Sequence, residues 1–318
     1  MKTRIICFYF TGGKVKTQQD WFVWMDAFLL SCKYNAQFDW LIFSDFEIPK
    51  SYPSNVRFVR FSIEDFNALA SSKLSLNINT KNNKPRESLK SNKHHKVGDF
   101  RPSFGIIFED YLKGYNWWGH MDLDIILGSI DSFIKPTDFE NFEIISSRKN
   151  KLTGHFTLYK NIKKINELFK LINRYEGPFG NPNDPQALPC RGTYQHLFSL
   201  PDNQRILELN MNLILRNNPD LVKTKLDKYL VNFNHDEVVR RESANRGKPI
   251  RQRVNALKVS KADSPWVWRK GSLLWKDKHE VMYIHFPNYA KYTLKYISFS
   301  YDDDPDAFIL TPDSILSL

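Results

Sequence analysis

Two aspartates, Asp122 and Asp124, interrupt a run that reads Trp-Trp-Gly-His-Met before them and Ile-Ile-Leu-Gly after them. On a strand, side chains at i and i+2 share a face, so a strand over 117–127 would hold both carboxylates side by side. Two buried carboxylates on one face need a compensating charge. A hard divalent ion such as Mg2+ or Mn2+ supplies it, taking one or two carboxylates and completing its shell with phosphate oxygens. Such an ion would act as a Lewis acid on a departing nucleoside diphosphate. The plainer reading is a pair of solvated acids near a turn.

Other residues could serve the same chemistry. His285 ends an apolar stretch, Val281-Met282-Tyr283-Ile284, and Lys291 follows six residues later. That arrangement suits a third metal ligand and a diphosphate-binding cation, against a structural histidine and a surface lysine. The segment Lys96-Val-Gly-Asp99-Phe-Arg101-Pro102 places Asp99 and Arg101 at an expected helix start, where free N–H groups and the dipole favour an anion. Lys96 or Arg101 would face phosphate and Asp99 would bond sugar hydroxyls, unless Asp99 is simply the N-cap. Asp45, at the end of an expected strand, could accept a hydrogen bond from a base or ribose, or be a turn residue.

These residues must be carried by regular elements. Residues 5–10, 38–43 and 56–61 read as strands. Residues 18–34 read as a helix, with Trp21, Trp24, Met25, Phe28, Leu29 and Cys32 on one stripe. Ser62 with Asp65 marks the start of another helix. Residues 71–96, rich in Ser, Asn and Lys, read as a surface loop and possible lid. A helix over 97–115 leads to the strand with the acids. Further strands over 142–147 and 153–159, a helix over 162–175 and a Pro/Gly/Asn-rich loop over 177–191 follow. Two runs around Gly271-Ser272 look like a hairpin, and 280–285 like a strand. The order implies an α/β fold, a mainly parallel sheet flanked by helices, with a less regular basic C-terminal region. One continuous domain is expected, with residues 1–161 as its nucleotide- and metal-binding half and 162–318 as its acceptor-side half.

With 318 residues, 42% hydrophobic, the chain can bury a large core. Its 14% aromatic content serves packing first and ring-lined clefts second. The net charge of +11 is uneven: residues 235–296 hold 14 Lys and Arg against 6 Asp and Glu. Such a stretch is either a solvated face or attracts nucleic acid, anionic membrane or phosphorylated ligands. Cys7, Cys32 and Cys190 show no paired spacing, which disfavours a disulfide framework or zinc site and fits a reducing cytosol. The apolar run at 5–10 is too short for a signal sequence, and no stretch approaches a membrane span. A cytoplasmic location is expected, with any membrane contact peripheral, at the inner face.

Three stretches together resemble a bacterial family of glycosyltransferases encoded in polysaccharide gene clusters. They are Lys96-Val-Gly-Asp-Phe-Arg-Pro-Ser-Phe-Gly-Ile-Ile-Phe-Glu-Asp-Tyr-Leu, Tyr115-Asn-Trp-Trp-Gly-His-Met-Asp-Leu-Asp and Thr153-Gly-His-Phe-Thr-Leu-Tyr-Lys-Asn161. Phe28-Leu-Leu-Ser-Cys and Leu41-Ile-Phe-Ser-Asp45 fit as well. More distantly, the chain is similar to glycogenin-like and mannosyltransferase-like GT-A enzymes. The resemblance implies a GT-A fold, a nucleotide-sugar donor (a UDP-sugar first) and Mn2+ or Mg2+ on Asp122, Asp124 and His285. It also implies donor-sugar contacts from Asp99 and Arg101, and an acceptor pocket built partly by Thr153, Gly154 and His155. The acceptor would be a glycan or lipid-linked saccharide of bacterial surface polysaccharide synthesis.

Two departures bear on mechanism. The family's Phe-Asp-Glu element has no counterpart, since residues 193–200 lack an acidic pair, and Phe-Pro-Asn-Tyr-Ala-Lys follows His285 in place of a compact Gln-Lys-Arg. Asp184, Asp202, Glu208 and Asp236 are the remaining carboxylates that could act as a base. A retaining transfer assisted by the leaving phosphate needs none, and is preferred here. The competing readings are a metal-dependent nucleic-acid-processing protein and a catalytically silent carbohydrate-binding relative. No recognised nucleic-acid-binding module occurs, and no nucleic-acid partner is expected.

Overall fold

The side chains of β1 (Thr3–Tyr9) alternate between two apolar layers: Ile5 and Cys7 join one buried cluster, Ile6 the other. Strands β2 (Phe38–Ser44) and β4 (Trp117–Met121) alternate in the same way, with Trp40 and Trp117 in the first layer and Leu41, Phe43 and Trp118 in the second. Burial on both faces is what a parallel strand covered by other elements requires. The computed structural model describes residues 1–10, 21–78, 80, 96–148, 152–171, 211–212, 214–216, 218–226, 230–232, 266–275, 279–286, 294–311 and 313–318.

The main sheet has seven strands in the order β3-β2-β1-β4-β7-β6-β8. The others are β3 (Val56–Arg60), β6 (Ile144–Ser146), β7 (Phe156–Lys160) and β8 (Thr224–Leu226). Strands β3, β2, β1 and β4 are mutually parallel; β7 runs antiparallel between β4 and β6, and β8 lies parallel to β6. This is the expected fold class: α/β on a largely parallel sheet. A small sheet follows the order β5-β13-β9, from β5 (Ile125–Leu127), β13 (Tyr283–His285) and β9 (Leu230–Asn232). The third sheet, mostly antiparallel, joins β12 (His279–Val281), β11 (Ser272–Trp275), β10 (Trp266–Arg269), β15 (Ala307–Leu310), β16 (Ser314–Ser317) and β14 (Tyr296–Ile297) in that order. The described C-terminal residues are therefore more regular than expected. The expected hairpin is present, and Lys270 and Gly271 both adopt positive φ (44° and 89°) at its two-residue turn.

Among the described residues, helix α1 (Met25–Lys33) begins four residues after Trp21, the first member of its apolar stripe, because the chain turns over residues 21–24. Trp21 and Trp24 are still buried, in an aromatic cluster with Tyr9, Phe22 and Phe46. Helix α2 (Ile63–Leu74) starts with the expected capping box: Ser62 Oγ accepts from Asp65 N, and the Asp65 carboxylate accepts from Ser62 N at 2.7 Å. It takes in the first residues of the expected loop, whose remainder lies largely outside the described residues.

Four expectations are corrected. The helix over 97–115 is instead a chain of short helical turns, Lys96–Asp99, Arg101–Ser103, Phe104–Ile107 and Glu109–Leu112. Pro102 cannot donate a helical bond, and Gly105 sits where a Cβ would fall 2.5 Å from Asn166 Oδ1 and 2.8 Å from Trp118 Nε1. The single strand over 117–127 is two strands, β4 in the main sheet and β5 in the small one, separated by Asp122, Leu123 and Asp124. The strand over 280–285 likewise divides at Met282 between β12 and β13. Among the described residues, the helix over 162–175 is two short turns, Lys163–Asn166 and Leu168–Leu171. The loop over 177–191 lies outside them.

Candidate functional site

Chain order runs β1, β2, β3 to one side of the main sheet and then crosses to β4 on the other side of β1. In open α/β sheets, ligands settle beyond the carboxyl ends of the strands where the winding direction reverses. The residues directly after β4 are Asp122, Leu123 and Asp124. Leu123 is buried and both aspartates are half-buried. The acids therefore come together at a junction between two sheets, not on one face of a continuous strand.

The junction is held by side chains that satisfy its main chain. Trp24 Nε1 donates to the Leu123 carbonyl at 2.9 Å, Leu127 N donates to Ser31 Oγ at 3.2 Å, and Trp268 Nε1 donates to the Leu127 carbonyl at 3.0 Å. Asn35 Nδ2 donates to the Gly128 carbonyl at 2.8 Å and Asn35 Oδ1 accepts from Ile130 N at 2.9 Å. On its other side, β5 pairs antiparallel with β13, which sets His285 opposite Ile125, and Phe286 N donates to the Asp124 carbonyl at 2.7 Å. The polar residues buried on and beside α1, Ser31 and Asn35, thus fix the strand that directly follows the second aspartate. Nothing in their local sequence announced that role.

His155 arrives from β7. Met121 pairs with Phe156 in the antiparallel β4–β7 ladder, and the next pair brings Asp122 N to the His155 carbonyl at 3.2 Å. The turn before β7 is bound tightly: Thr157 Oγ1 donates to the Thr153 carbonyl at 2.7 Å, Thr153 N donates to Ser146 Oγ at 3.1 Å, and His120 Nδ1 lies 3.3 Å from the Gly154 carbonyl. Ser147 Oγ and Tyr283 Oη, 2.5 Å apart, tie this region to β13.

At the junction, one ligand atom each from Asp122, His155 and His285 lies within 4.8 Å of the others. The two imidazoles stack, with centroids 3.9 Å apart and planes 27° apart. His285 Nε2 is 3.4 Å from Asp124 Oδ2, and the Arg101 guanidinium forms an ion pair with Asp122. Burial, reinforced by the neighbouring His285, pushes the His155 imidazole down to about 3, and burial holds His120 well below its ordinary value. Both rings are neutral at pH 7, the form that binds a metal. His155 Nδ1 is buried and has no hydrogen-bond partner among the described residues. A carboxylate and the two imidazoles of His155 and His285, the first with a buried nitrogen that nothing claims among the described residues, make a donor set that fits a divalent ion.

Arg101 reaches the site, but its partner is Asp122 and it follows a four-residue helical turn, not the start of a long helix. Asp99 closes that turn and is buried. Lys96 opens the turn. Asp45 directly follows β2, on the same carboxyl edge of the sheet as the end of β4. Lys291, the four possible bases Asp184, Asp202, Glu208 and Asp236, and residues 193–200 lie outside the described residues, as does most of the basic stretch. Among the described residues, no helix is long and apolar enough to cross a membrane.

A family model described as a family of unknown function, DUF6625, matches residues 6–318. No curated protein matches the sequence. Among solved structures, the chain is similar to the galactosyltransferase LgtC in complex with donor and acceptor sugar analogs, at 9% identity and a TM-score of 0.42, over 92% of this chain and 90% of that one. It is also similar to mouse xyloside xylosyltransferase 1, at 8% identity and a TM-score of 0.44, over 91% of this chain and 98% of that one.

Proposed function

We propose that this chain, which belongs to the DUF6625 family, is a metal-dependent glycosyltransferase of the GT-A type. It would move a sugar from a nucleotide sugar, a UDP-sugar first, to a glycan or lipid-linked saccharide in bacterial surface polysaccharide synthesis. The observation that carries the reading is the gathering of Asp122, Asp124, His155 and His285 beyond the carboxyl end of β4, where the strand order reverses. Bound there by Asp122, Asp124 and His285, Mn2+ or Mg2+ would supply Lewis-acid stabilisation of the leaving diphosphate.

The chain's own residues do the rest. Arg101, paired with Asp122, would face the diphosphate, and Lys96 and Lys291 are the further cations assigned to it. Asp45 would accept from base or ribose, Asp99 from sugar hydroxyls, and the Thr153-Gly154-His155 turn would line the acceptor side. With no assigned base, the transfer is read as retaining, with the leaving phosphate taking the acceptor proton. The basic stretch at 235–296 would rest on the anionic inner leaflet, where a lipid-linked acceptor is found. Liposome flotation tests that contact; equal recovery with neutral and anionic vesicles rejects it.

Calorimetry with UDP, GDP, CMP and dTDP, with Mn2+ and with EDTA, tests the main reading. Metal-dependent binding of one nucleotide, abolished in Asp124→Ala, is expected. Absence of binding to every nucleotide under both conditions refutes it.

A further inference from the structure

The metal reading above rests on two aspartates and His285; the geometry adds a second imidazole. Donors about 2.1 Å from one ion lie roughly 3–4 Å from each other. Asp122, His155 and His285 present ligand atoms within 4.8 Å, so rotation of the two stacked rings out of their near-parallel arrangement would turn their in-plane lone pairs toward a common centre. The backbone of His155 is already fixed. Its carbonyl accepts from Asp122 N at 3.2 Å, and its N–H donates to Thr153 Oγ1 at 3.3 Å. Buried polar atoms are nearly always hydrogen-bonded, yet His155 Nδ1 is buried without a partner among the described residues. Packing alone accounts for two stacked rings, but it leaves that nitrogen unexplained.

We infer that His155 is a protein ligand of the metal, alongside Asp122 and His285, and that the site holds a nitrogen-preferring transition-metal ion without help from a nucleotide. This rests on the metal-centred reading but departs from it in donor set and in ion. Mg2+ and Ca2+ prefer oxygen, and Mg2+ usually relies on substrate phosphates to complete its shell. Imidazoles favour the later first-row ions, with affinity rising from Mn2+ through Co2+ to Ni2+. Two imidazoles and a carboxylate form a tridentate protein site that is complete before a nucleotide arrives. Arg101 is the cation that neutralises Asp122 until then, and metal entry exchanges that ion pair for a coordination bond.

The test is titration of the metal-stripped full chain with Co2+, without nucleotide, followed by visible absorption and calorimetry. One equivalent is expected to bind in the presence of excess Mg2+, and Asp122→Asn is expected to abolish the site. His155→Ala should weaken Co2+ binding by at least about tenfold while keeping the wild-type circular dichroism and urea midpoint. His155→Cys should restore binding and add a near-ultraviolet thiolate-to-cobalt charge-transfer band, which packing cannot produce. Wild type taking up no Co2+, ready displacement by Mg2+, His155→Ala binding as wild type, or a Cys variant with no such band would each overturn the inference. Mn2+-dependent nucleotide binding, measured on the same His155→Ala protein, reads the transferase proposal separately. If that binding persists while cobalt binding is unaltered, only the role of His155 is rejected.

Discussion

Replacing Gly128 by alanine would strike the seam on which the site depends. An added Cβ would fall 2.5 Å from the Val281 carbonyl oxygen, 2.9 Å from Leu273 Cβ and 3.1 Å from Leu273 N. The nearest atom is backbone and the others belong to or adjoin it, so no flexible side-chain end can swing away and β11 and β12 must move. Forcing a methyl into a well-packed core costs about 1–3 kcal/mol, a melting shift of roughly 2–6 °C for a chain of this size. The displacement does not stop there. Gly128 N donates to the Met282 carbonyl at 2.8 Å, and His285 stands three residues further along. Gly128→Ala should therefore weaken divalent-metal binding as well as stability. Gly114→Ala is the control: Gly114 has φ of +82° with nothing within 4 Å of an added Cβ, so it should cost about 1–2 kcal/mol through backbone strain and leave metal binding alone. Urea denaturation and cobalt titration of both variants decide the matter. A Gly128→Ala protein with the wild-type midpoint and wild-type metal affinity would refute the reasoning.

Other expectations are shorter. Asn35→Ala leaves the Gly128 carbonyl and Ile130 N–H, both now bonded to the side chain, without partners in the interior; about 2–4 kcal/mol should be lost in urea denaturation. Ser62→Ala removes a cap whose partner is Asp65 N at 3.1 Å, and should cost about 1 kcal/mol by the same assay with no change in metal binding. Acidification should destabilise the metal-free protein below pH 6.5. His120 and His155 are held below that value by burial, so the unfolded chain takes up protons that the native state refuses. Stability present above the unfolded value is then lost as pH falls, at up to about 1.4 kcal/mol per pH unit for each ring. Urea midpoints from pH 7.5 to 5 should fall less steeply in His120→Gln; identical slopes would reject this origin.

Several elements could be read from the residues alone. Strands β1, β2 and β3 stood out as short apolar runs bounded by turn residues, and the Ser62–Asp65 cap is local chemistry. Periodicity sets Phe104, Ile107, Phe108, Tyr111 and Leu112 on one side of 97–115; all are buried except Tyr111, which is partly so. It could not show that their helix is broken, because a succession of short turns can bury the same side. The acids were found through their apolar surroundings, but the runs on either side are buried in two different sheets and hydropathy does not register the change. His155 came to notice as part of an acceptor pocket. Its position opposite Asp122 follows from the antiparallel β4–β7 ladder, a pairing that spacing along the chain does not encode. The junction hydrogen bonds of Ser31, Asn35 and Trp24 went unread because their partners there lie some 90 or more residues away.

The division of the site among Asp122, His155 and His285 also sets a timetable for biosynthesis. A growing chain that has exposed β7 already owns a carboxylate and one imidazole, but the closing ring is 130 residues away. At about 5–20 residues per second, the ribosome needs roughly 7–26 s to deliver it. Until then β5 lacks β13 as its neighbour, and no ion can reward the half-made junction. A chain released early would be left with an unpaired strand edge and no metal to stabilise it. With the site as proposed, an ion would be captured only once synthesis has passed His285, and a chain cut short of β13 would keep β5 without that neighbour.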